Sequence, residues 1–361
     1  MKKKFLLIAM LIMATGVFAQ SLPSWITNTK LNGKFRLREE FIDQTDKVDR
    51  DRTRIQFKLG ITTKINAKID LGIGIATGSG DPRSQNVTLG DSDSSKELNL
   101  YYAFIQYKAT DNLKIWGGKF KGIKKAIFIP SNFLWDYDIA PEGVGLIFNK
   151  KLTENLRLFF NASYIVVDEY KDSGADPFVY IVQPGLIYKK GDFQAKLGIA
   201  YMSAVHETGN LFEYSSHSNT YENGVLKYGY SVLNPNIELK WKIDGRYISF
   251  FKLFGEYASN SDADNEDSAY TLGLAFGKKI KSYGDFSFSA NYRYLEKDVW
   301  LDIFPDSDAF SGKTDAKGLE LEFKYGLMKN VYLSIDYYDM KRIIDNSQSQ
   351  KRFQFDINLK F

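Results

Sequence analysis

Basic side chains occur at alternate positions in two neighbouring segments of the chain. The basic residues are Lys34, Arg36, Arg38, Arg52, Arg54 and Lys58. Apolar residues such as Phe35, Leu37 and Phe57 lie between them, so in an extended chain the two kinds of side chain point to opposite faces. A basic face of this kind can attract anions, or it can form ion pairs that only keep a polar interior wet. The sequence leaves both interpretations open.

Hydrolytic chemistry has only weak candidates. The two histidines, His206 and His217, lie in one polar segment together with the adjacent pair Ser215-Ser216. A nucleophilic serine needs a base and an acid that orients it, and no spacing here supplies that acid. The acidic run 261–267 lacks the glycine and the terminal spacing of a calcium loop. We therefore expect no catalytic residue, no metal site and no cofactor.

The elements that carry these side chains show alternation of period two along most of the chain. In the last segment, Phe353, Phe355, Ile357, Leu359 and Phe361 share one face, and charged or polar residues share the other. A soluble β-sandwich would rarely place so much charge on the polar face of nearly every strand. A transmembrane barrel requires this pattern, because one face meets lipid and the other faces a wet interior. The predicted fold class is therefore all-β, a transmembrane antiparallel β-barrel.

About sixteen segments with this alternation can be counted, an even number as single-chain bacterial barrels require. Short turns such as Lys190-Gly191-Asp192 and Asp244-Gly245 alternate with long polar loops. The long loops are predicted near residues 43–51, 78–96, 120–141, 170–177, 205–230, 258–268, 296–316 and 341–350. We expect the short turns in the periplasm and the long loops outside the cell. Closure of the sheet follows from the need to pair every backbone polar group in lipid.

Export is indicated by the first residues. Three lysines, a short apolar run over residues 5–14 and a terminal Ala19 are typical of a signal peptide, with cleavage before Gln20. We expect residues 1–19 to form this leader and residues 20–361 to form one barrel domain. Loss of the three lysines lowers the formal net charge of +4 to +1, and no basic run suggests binding to nucleic acid. A mean hydropathy of −0.31 excludes a helical membrane protein.

Aromatic residues make up 15% of the chain, which is high for a protein with so many polar loops. Many of them lie near the ends of the predicted strands, where membrane barrels carry interfacial girdles of aromatic side chains. The predicted girdle residues are Tyr101, Tyr102, Tyr107, Trp116, Tyr164, Tyr188, Tyr201, Trp241, Tyr247, Tyr257, Tyr292 and Tyr337.

Several stretches of the sequence resemble the "Putative porin" family of Gram-negative outer membranes. The stretches are LNGKFRLREE (31–40), DRDRTR (49–54), ATGSGDPRS (76–84), GGKF (117–120), LWDYD (134–138) and PEGV (141–144). The resemblance implies a barrel of about sixteen strands similar to the general porins. It also implies that Phe361 is an assembly signal read by the barrel assembly machinery, and that lipid and lipopolysaccharide surround the wall. A homotrimer is an option that the resemblance leaves open.

The third long loop, residues 120–141, resembles the inward-folded constriction loop of general porins. Its candidate pore-lining residues are Lys119 at its start, and Asp136, Asp138 and Glu142 towards its end. Ile127, Phe133 and Trp135 are unusually apolar for an exposed loop, so burial inside the barrel would remove them from water. An external lid is the alternative.

The sequence thus predicts an outer-membrane porin, a water-filled channel for passive diffusion of small hydrophilic solutes or ions. The alternatives are an adhesin or receptor barrel and, with less support, an outer-membrane hydrolase. The aromatic residues of the fifth loop, among them Tyr214 and Tyr221, are the feature that would suit an adhesin. Liposome swelling would distinguish these classes, because only an open channel passes solutes.

Overall fold

A computed structural model describes residues 24–171 and 174–361 of the chain. Sixteen long strands form its wall. They are β1 Lys30–Gln44, β2 Arg50–Lys64, β3 Ile69–Thr77, β4 Leu98–Lys108, β5 Leu113–Lys119, β6 Glu142–Lys151, β7 Leu156–Val166, β8 Phe178–Lys190, β9 Phe193–Val205, β10 Ser231–Lys242, β11 Phe250–Asn260, β12 Ser268–Gly277, β13 Phe286–Leu295, β14 Ala316–Met328, β15 Val331–Arg342 and β16 Ser349–Lys360.

The remaining elements are short. The two-residue strand Val87–Thr88 adds to the edge of β2, and Tyr221–Glu222 pairs with Val225–Leu226 in a small hairpin. Two helical turns span Ser24–Thr27 and Ile123–Ala126, and a 3₁₀ turn spans Phe310–Gly312. Among the described residues, no helix is long and apolar enough to cross a membrane.

Each wall strand pairs antiparallel with its neighbour in the chain, and β1 pairs with β16 to close the sheet. The closing register sets Lys34 opposite Lys360 and Gln44 opposite Gln350. Seven turns lie at one end of the barrel and eight loops, L1 to L8, at the other. The loops span residues 45–49, 78–97, 120–141, 167–177, 206–230, 261–267, 296–315 and 343–348, and L2, L3, L4, L5 and L7 are longer than any of the turns. The predicted fold class and the predicted count of sixteen strands are confirmed. The predicted leader and its cleavage site lie outside the described residues.

Alternation sorts the wall into two faces, as the pattern predicts. Large apolar side chains are exposed on the outer face, for example Ile73, Val144, Ile199 and Leu272. Aromatic contacts on the wall include Tyr180 with Tyr201, whose ring centroids are 5.9 Å apart, and Phe193 with Trp241 at 5.2 Å.

Three members of the predicted girdles are placed elsewhere. Tyr101 packs against the inner aromatic cluster, and its ring lies 4.5 Å from the Lys58 ammonium, so its assignment to a girdle is wrong. Tyr102 and Trp116 are 7% and 1% exposed and pack inside the barrel, so their assignment to an interfacial girdle is wrong. The ring of Trp116 stacks on Phe120, with centroids 4.6 Å apart. The ring of Tyr102 lies 5.9 Å from that of Phe104, another buried aromatic of the same strand. The side chains of Tyr102 and Trp116 face the interior because loop L3 starts beside them and supplies Phe120 as an apolar partner.

The main apolar cluster lies inside the barrel. It joins side chains of L3 (residues 120–141) and L7 (residues 296–315) to the inner faces of β7 to β13. Phe133, Leu134, Trp135, Trp300 and Leu301 are each 1% exposed or less. Burial of this cluster is the stabilising contribution that folds both loops inward, since apolar area removed from water contributes roughly 25 cal/mol per Å².

Two facing glycines mark the point where L3 leaves and rejoins the wall. Gly118 and Gly143 are register partners on β5 and β6, and their φ angles are 105° and 145°. A Cβ atom at Gly143 would lie 2.0 Å from the carbonyl oxygen of Tyr164, so no other residue fits there. Just beyond them, the amide of Phe120 donates to the carbonyl oxygen of Pro141 at 2.7 Å, which closes the base of the loop.

Candidate functional site

L3 is fixed to the far wall by buried polar contacts. The amide of Phe128 donates to the side-chain oxygen of Gln183 at 2.7 Å, and the side-chain nitrogen of Gln183 donates to the carbonyl oxygen of Phe128 at 2.7 Å. The amide and hydroxyl groups of Ser131 both donate to the carboxylate of Glu256. Because these anchors are on β8 and β11, L3 crosses the interior, and the open space beside it is bounded by β1 and by β10 to β16.

L7 packs directly against L3. The rings of Trp135 and Phe304 have centroids 4.3 Å apart, and the amide of Asp136 donates to the carbonyl oxygen of Phe304 at 2.7 Å. In return, the amide of Ser307 donates to the carboxylate of Asp136 at 2.9 Å. The two loops therefore narrow the lumen together. The inward folding of L7 was not predicted from the sequence, although the run Val299–Phe304 is as apolar as the run in L3 that includes Ile127, Phe133 and Trp135.

The arginines of β1, β2 and β16 are paired with carboxylates. Glu40, which is fully buried, accepts a bond from Arg52 and lies 3.7 Å from Arg54 and 3.5 Å from Arg352. Arg38 binds Asp356 through two parallel bonds of 2.7 and 2.9 Å. Arginine and carboxylate in this arrangement match in geometry as well as in charge. The basic face predicted from the sequence is thus a network of ion pairs on the inner wall.

The seventh loop supplies the carboxylate that opposes this network. Asp308 lies 3.1 Å from Arg38 and 2.6 Å from Arg352. Burial works against ionisation of Asp308, but the two guanidinium groups outweigh it and hold its pKa well below the usual range. The acidic pore-lining candidates from the sequence, Asp136, Asp138 and Glu142, lie in or next to the third loop instead.

The third loop also supplies a carboxylate that pairs with a basic residue of the inner wall. Asp138 lies 2.8 Å from the ammonium of Lys58, and the Lys58 ammonium also sits 4.5 Å from the centre of the Tyr101 ring. Burial opposes ionisation of Asp138, yet Lys58 and Arg36 lower its pKa. Asp136 is 7% exposed, and burial together with the nearby Asp306 raises its pKa well above the usual value. Asp138 therefore faces a cation, whereas Asp136 is buried away from water.

Lys119 and Glu142 are placed away from these residues. They are register partners on β5 and β6 and form an ion pair with each other at the base of L3. The side chain of Glu142 is 61% exposed. Both residues line a cleft of about 430 Å³ between L3 and the loops L2, L4 and L5.

The open part of the lumen is a cavity of about 640 Å³ with charged walls. Lys34 and Arg36 line one side, Asp136, Asp138 and Asp308 belong to the two inward loops, and Glu322 and Asp336 line the strands β14 and β15. Arg36 also donates to the side-chain oxygen of Asn86 at 2.6 Å, which ties loop L2 to the wall. Lys252 and Lys324 line the cavity as well, so a solute crossing the barrel at this depth would pass side chains of both charge signs.

Solved outer-membrane proteins share this architecture. A Pseudomonas putida OprB structure at high pH is 13% identical, covers 93% of this chain and 95% of its own, and has a TM-score of 0.60. Salmonella typhi OmpF in complex with daunomycin is 14% identical, with coverage of 92% and 97% and a TM-score of 0.53. A loop L8 deletion mutant of Vibrio cholerae OmpT is 12% identical, with coverage of 92% and 100% and a TM-score of 0.52. At these identities the likeness concerns the fold.

Family membership rests on the sequence match. No curated protein matches the chain. The family described as "Putative porin" matches residues 41–223 and 233–361, which is most of the chain. A closed barrel with a charged lumen narrowed by inward loops is what that family description requires. The chain belongs to the "Putative porin" family, and it forms an outer-membrane porin channel.

Proposed function

We propose that this porin passes small hydrophilic solutes and ions by diffusion through the gap between L3, L7 and the strands β1 and β10 to β16. The observation that carries the proposal is the cavity of about 640 Å³ whose walls bear charges of both signs. Polar walls lower the cost of removing water from a hydrophilic solute, and facing charges orient its dipole. An apolar solute gains nothing from such a wall.

We also propose that the residues of the basic face have two different roles, one in fixing the inner wall and one in contacting solutes. Arg38, Arg52 and Arg54 are held by Glu40, Asp308 and Asp356, so their main effect is to fix the inner wall and its field. Lys34, Arg36 and Arg38 all line the open cavity, and Arg36 lies 3.6 Å from Asp356. Lys34 has no carboxylate within ion-pair distance among the described residues, so it is the cation that meets a passing solute. Both interpretations of the basic face therefore apply, each to different residues.

A hydrolase is the weaker proposal. The Nδ1 atom of His206 lies 3.3 Å from the carbonyl oxygen of Asp176, and the ring of His217 packs on Tyr221 at 5.9 Å. The hydroxyl of Ser215 donates to Asp302 at 3.0 Å, a contact that ties L5 to L7. These contacts support a structural role for the three residues, and with it a channel that does no chemistry.

We also make proposals about the export, assembly and membrane environment of the channel. We infer a leader over residues 1–19, a wall in contact with lipid and lipopolysaccharide, insertion by the barrel assembly machinery, and assembly as a homotrimer. The exposed apolar outer face supports contact with lipid. The solved porins support the outer membrane in a general sense.

Liposome swelling tests the proposed function. Liposomes that contain the refolded protein should swell in isotonic solutions of small sugars, at a rate that falls steeply as the sugar grows. The matched control is liposomes with the same protein denatured before reconstitution. Swelling no faster than that control would contradict diffusion through this lumen and favour a plugged adhesin or receptor barrel.

A further inference from the structure

A second cavity lies below L3, on the side of the short turns. Its volume is about 780 Å³, with residues 127–130 of L3 above it and the lower ends of the strands β6 to β11 around it. Six basic side chains line it, against the acidic side chains of Glu154 and Glu238. The six are Lys124, Lys151, Arg157, Lys189, Lys196 and Lys252. We refer to Lys151, Arg157, Lys189 and Lys196 as the vestibule cluster.

Protein carboxylates balance only part of the charge of the vestibule cluster. Glu238 lies 3.5 Å from Lys252 and is also the register partner of Lys196. Within residues 24–171 and 174–361, no carboxylate lies within ion-pair distance of any cluster member. The arginines of β1 and β2 provide the contrast. Arg38 and Arg54 are also register partners of like charge, but Arg38 pairs with Asp308 and Asp356, and Arg54 pairs with Glu40.

Like charges in the cluster are set directly opposite each other. Lys151 on β6 is the register partner of Arg157 on β7, next to the turn that joins the two strands. Such a pair is destabilising unless an anion lies between the two charges. Lys196, on β9, is held in place because its ammonium sits 3.8 Å from the centre of the Phe128 ring of L3. Lys196 also faces Glu238, its register partner on β10. Among the described residues, Lys151, Arg157 and Lys189 are the cluster members with no carboxylate within ion-pair distance or directly opposite.

Lys124, which overhangs the cavity from L3, is affected by the same enclosure. The surrounding protein displaces water from it, and the cation of Lys252 faces it, so its pKa is lowered to about 8. Burial is the larger of these two causes of the lowered pKa, and an anion beside Lys252 would offset the smaller one.

We propose that the vestibule cluster is a binding site for small organic polyanions, solutes that carry two or more carboxylate or phosphate groups. The four cations are spread over the strands from β6 to β9, so a solute with a single charge can contact only part of them. A solute with two or three charges can contact both Lys151 with Arg157 and Lys189 with Lys196. The proposal rests on the proposed function, since the solute reaches this cavity as it passes through the channel.

The test uses citrate as the polyanion and acetate as the monovalent comparison. Chloride current through single channels is recorded in dilute KCl while either anion is added on the side of the short turns. We expect citrate to reduce the current at concentrations where acetate has little effect. The quadruple variant Lys151→Gln, Arg157→Gln, Lys189→Gln and Lys196→Gln should need about tenfold more citrate for half block. Block should also weaken as KCl rises, because salt screens the cluster.

The matched control removes four charges from the same end of the barrel but outside the cavity. It carries Lys68→Gln, Lys279→Gln, Lys281→Gln and Lys329→Gln, all exposed residues of the turns. Its half-blocking concentration should equal that of the parent. Equal block in the parent and the cluster variant would overturn the proposal, as would a control variant that loses block to the same extent.

Calorimetric titration of the folded, detergent-solubilised protein with citrate separates this inference from the proposed function. Chloride conductance without citrate binding would overturn the site and leave the channel in place. Citrate binding that depends on the cluster, in a protein that conducts nothing, would support the site and contradict diffusion.

Discussion

The guanidinium of Arg38 on the first strand grips the carboxylate of Asp356 on the last strand with two bonds, of 2.7 and 2.9 Å. The two residues are register partners across the line where the barrel closes, and both side chains are 3% exposed or less. A one-residue slip between β1 and β16 would turn one of them towards lipid. The pair therefore specifies the register of closure as well as the charge of the inner wall.

Removing one partner of this pair should destabilise the barrel. Arg38→Gln leaves Asp356 buried with a weaker set of contacts, and Asp356→Asn leaves the guanidinium with its remaining partner Asp308. We expect either single variant to lose about 3–5 kcal/mol of unfolding free energy. Urea unfolding in lipid vesicles, followed by tryptophan fluorescence, measures the loss. The double variant should recover part of it, and additive losses would show that the two residues act independently.

Loosening L3 from L7 should raise the conductance. Trp135→Ala removes the ring that packs on Phe304 and Trp300, so the two loops lose their common apolar contact. We expect larger and noisier single-channel currents, with a stability loss of about 3–5 kcal/mol from the cavity. Deletion of residues 123–139 should raise conductance further. It should also destabilise the barrel, because Ile181 and Met202 on the inner wall would meet water.

A matched control for this prediction is Trp241→Ala, which removes a tryptophan that packs on Phe193 and Phe251 instead of on the inward loops. Its conductance should equal that of the parent. Unchanged conductance in Trp135→Ala and in the deletion would contradict a constriction formed by L3.

Loss of the last residue should impair assembly more than permeation. The amide of Phe361 donates to the carbonyl oxygen of Gly33 at 3.1 Å, and the amide of Gly33 donates to the carbonyl oxygen of Phe361 at 2.7 Å. The Phe361 ring fills the space beside Gly33, where a Cβ atom would lie 2.2 Å from it. We expect deletion of Phe361 and Gly33→Val each to lower the yield of folded barrel, measured by heat-modifiable migration of membrane extracts. Phe323→Ala, on the outer face of β14 and away from the seam, is the control, and a normal yield in both test variants would rule out this role for the seam.

Charge selectivity should respond to the arginines of β1 and β2. Replacing Arg36, Arg38, Arg52 and Arg54 with Gln leaves Asp356 without its arginine partners, and it leaves Glu40 and Asp308 with Arg352 alone. The preference should therefore move towards cations, most strongly at low salt, where the Debye length is about 30 Å at 0.01 M. Reversal potentials across a KCl gradient measure the shift. Glu40→Gln with Asp308→Asn should shift it the other way, and equal potentials in all three proteins would contradict the idea.

Stability should fall as the pH rises towards neutrality, because of the carboxyl group of Asp306 in L7. Burial raises its pKa to about 7, although Arg293, 3.4 Å away, works in the opposite direction. An acid with a raised folded pKa holds its proton more tightly in the native state, so stability is highest below its unfolded pKa near 4 and is lost up to about 7. Asp136 contributes with the same sign.

Thermal unfolding between pH 5 and pH 8 is the measurement for Asp306. The parent should unfold at a lower temperature at pH 8 than at pH 5, and Asp306→Asn should flatten this dependence. Asp308 does not interfere, since its lowered pKa keeps it ionised over the whole range. An Asp306→Asn variant with the same pH dependence as the parent would assign the effect to other groups.

The wall could be predicted from the sequence because alternation of period two is a local property. The residues of each strand show which of its two faces is apolar. With lipid outside and charged residues inside, the strands have only one closed arrangement. Pairing among the loops is not local. Asp308 meets Arg38 only because L7 folds inward, and nothing in the spacing of residues 296–315 indicates which wall it reaches.

Two further differences have the same origin. Tyr102 and Trp116 carry the pattern of girdle residues, but their faces are decided by the packing of Phe120. Lys119 and Glu142 sit at the ends of L3, as the sequence suggests, yet they pair with each other because Gly118 and Gly143 turn the backbone there. In each case a contact between distant segments outweighs the local signal.

Closure by the first and last strands has a kinetic consequence. Gln44 and Gln350, bonded across the seam, are 306 residues apart, so the seam is the pairing with the greatest loop-closure entropy in the wall. Until β16 is in place, the sheet presents an unpaired edge, which hydrocarbon does not tolerate. Folding and insertion must therefore finish together, and the time that the chain spends as an open sheet is the interval in which it is most exposed to aggregation.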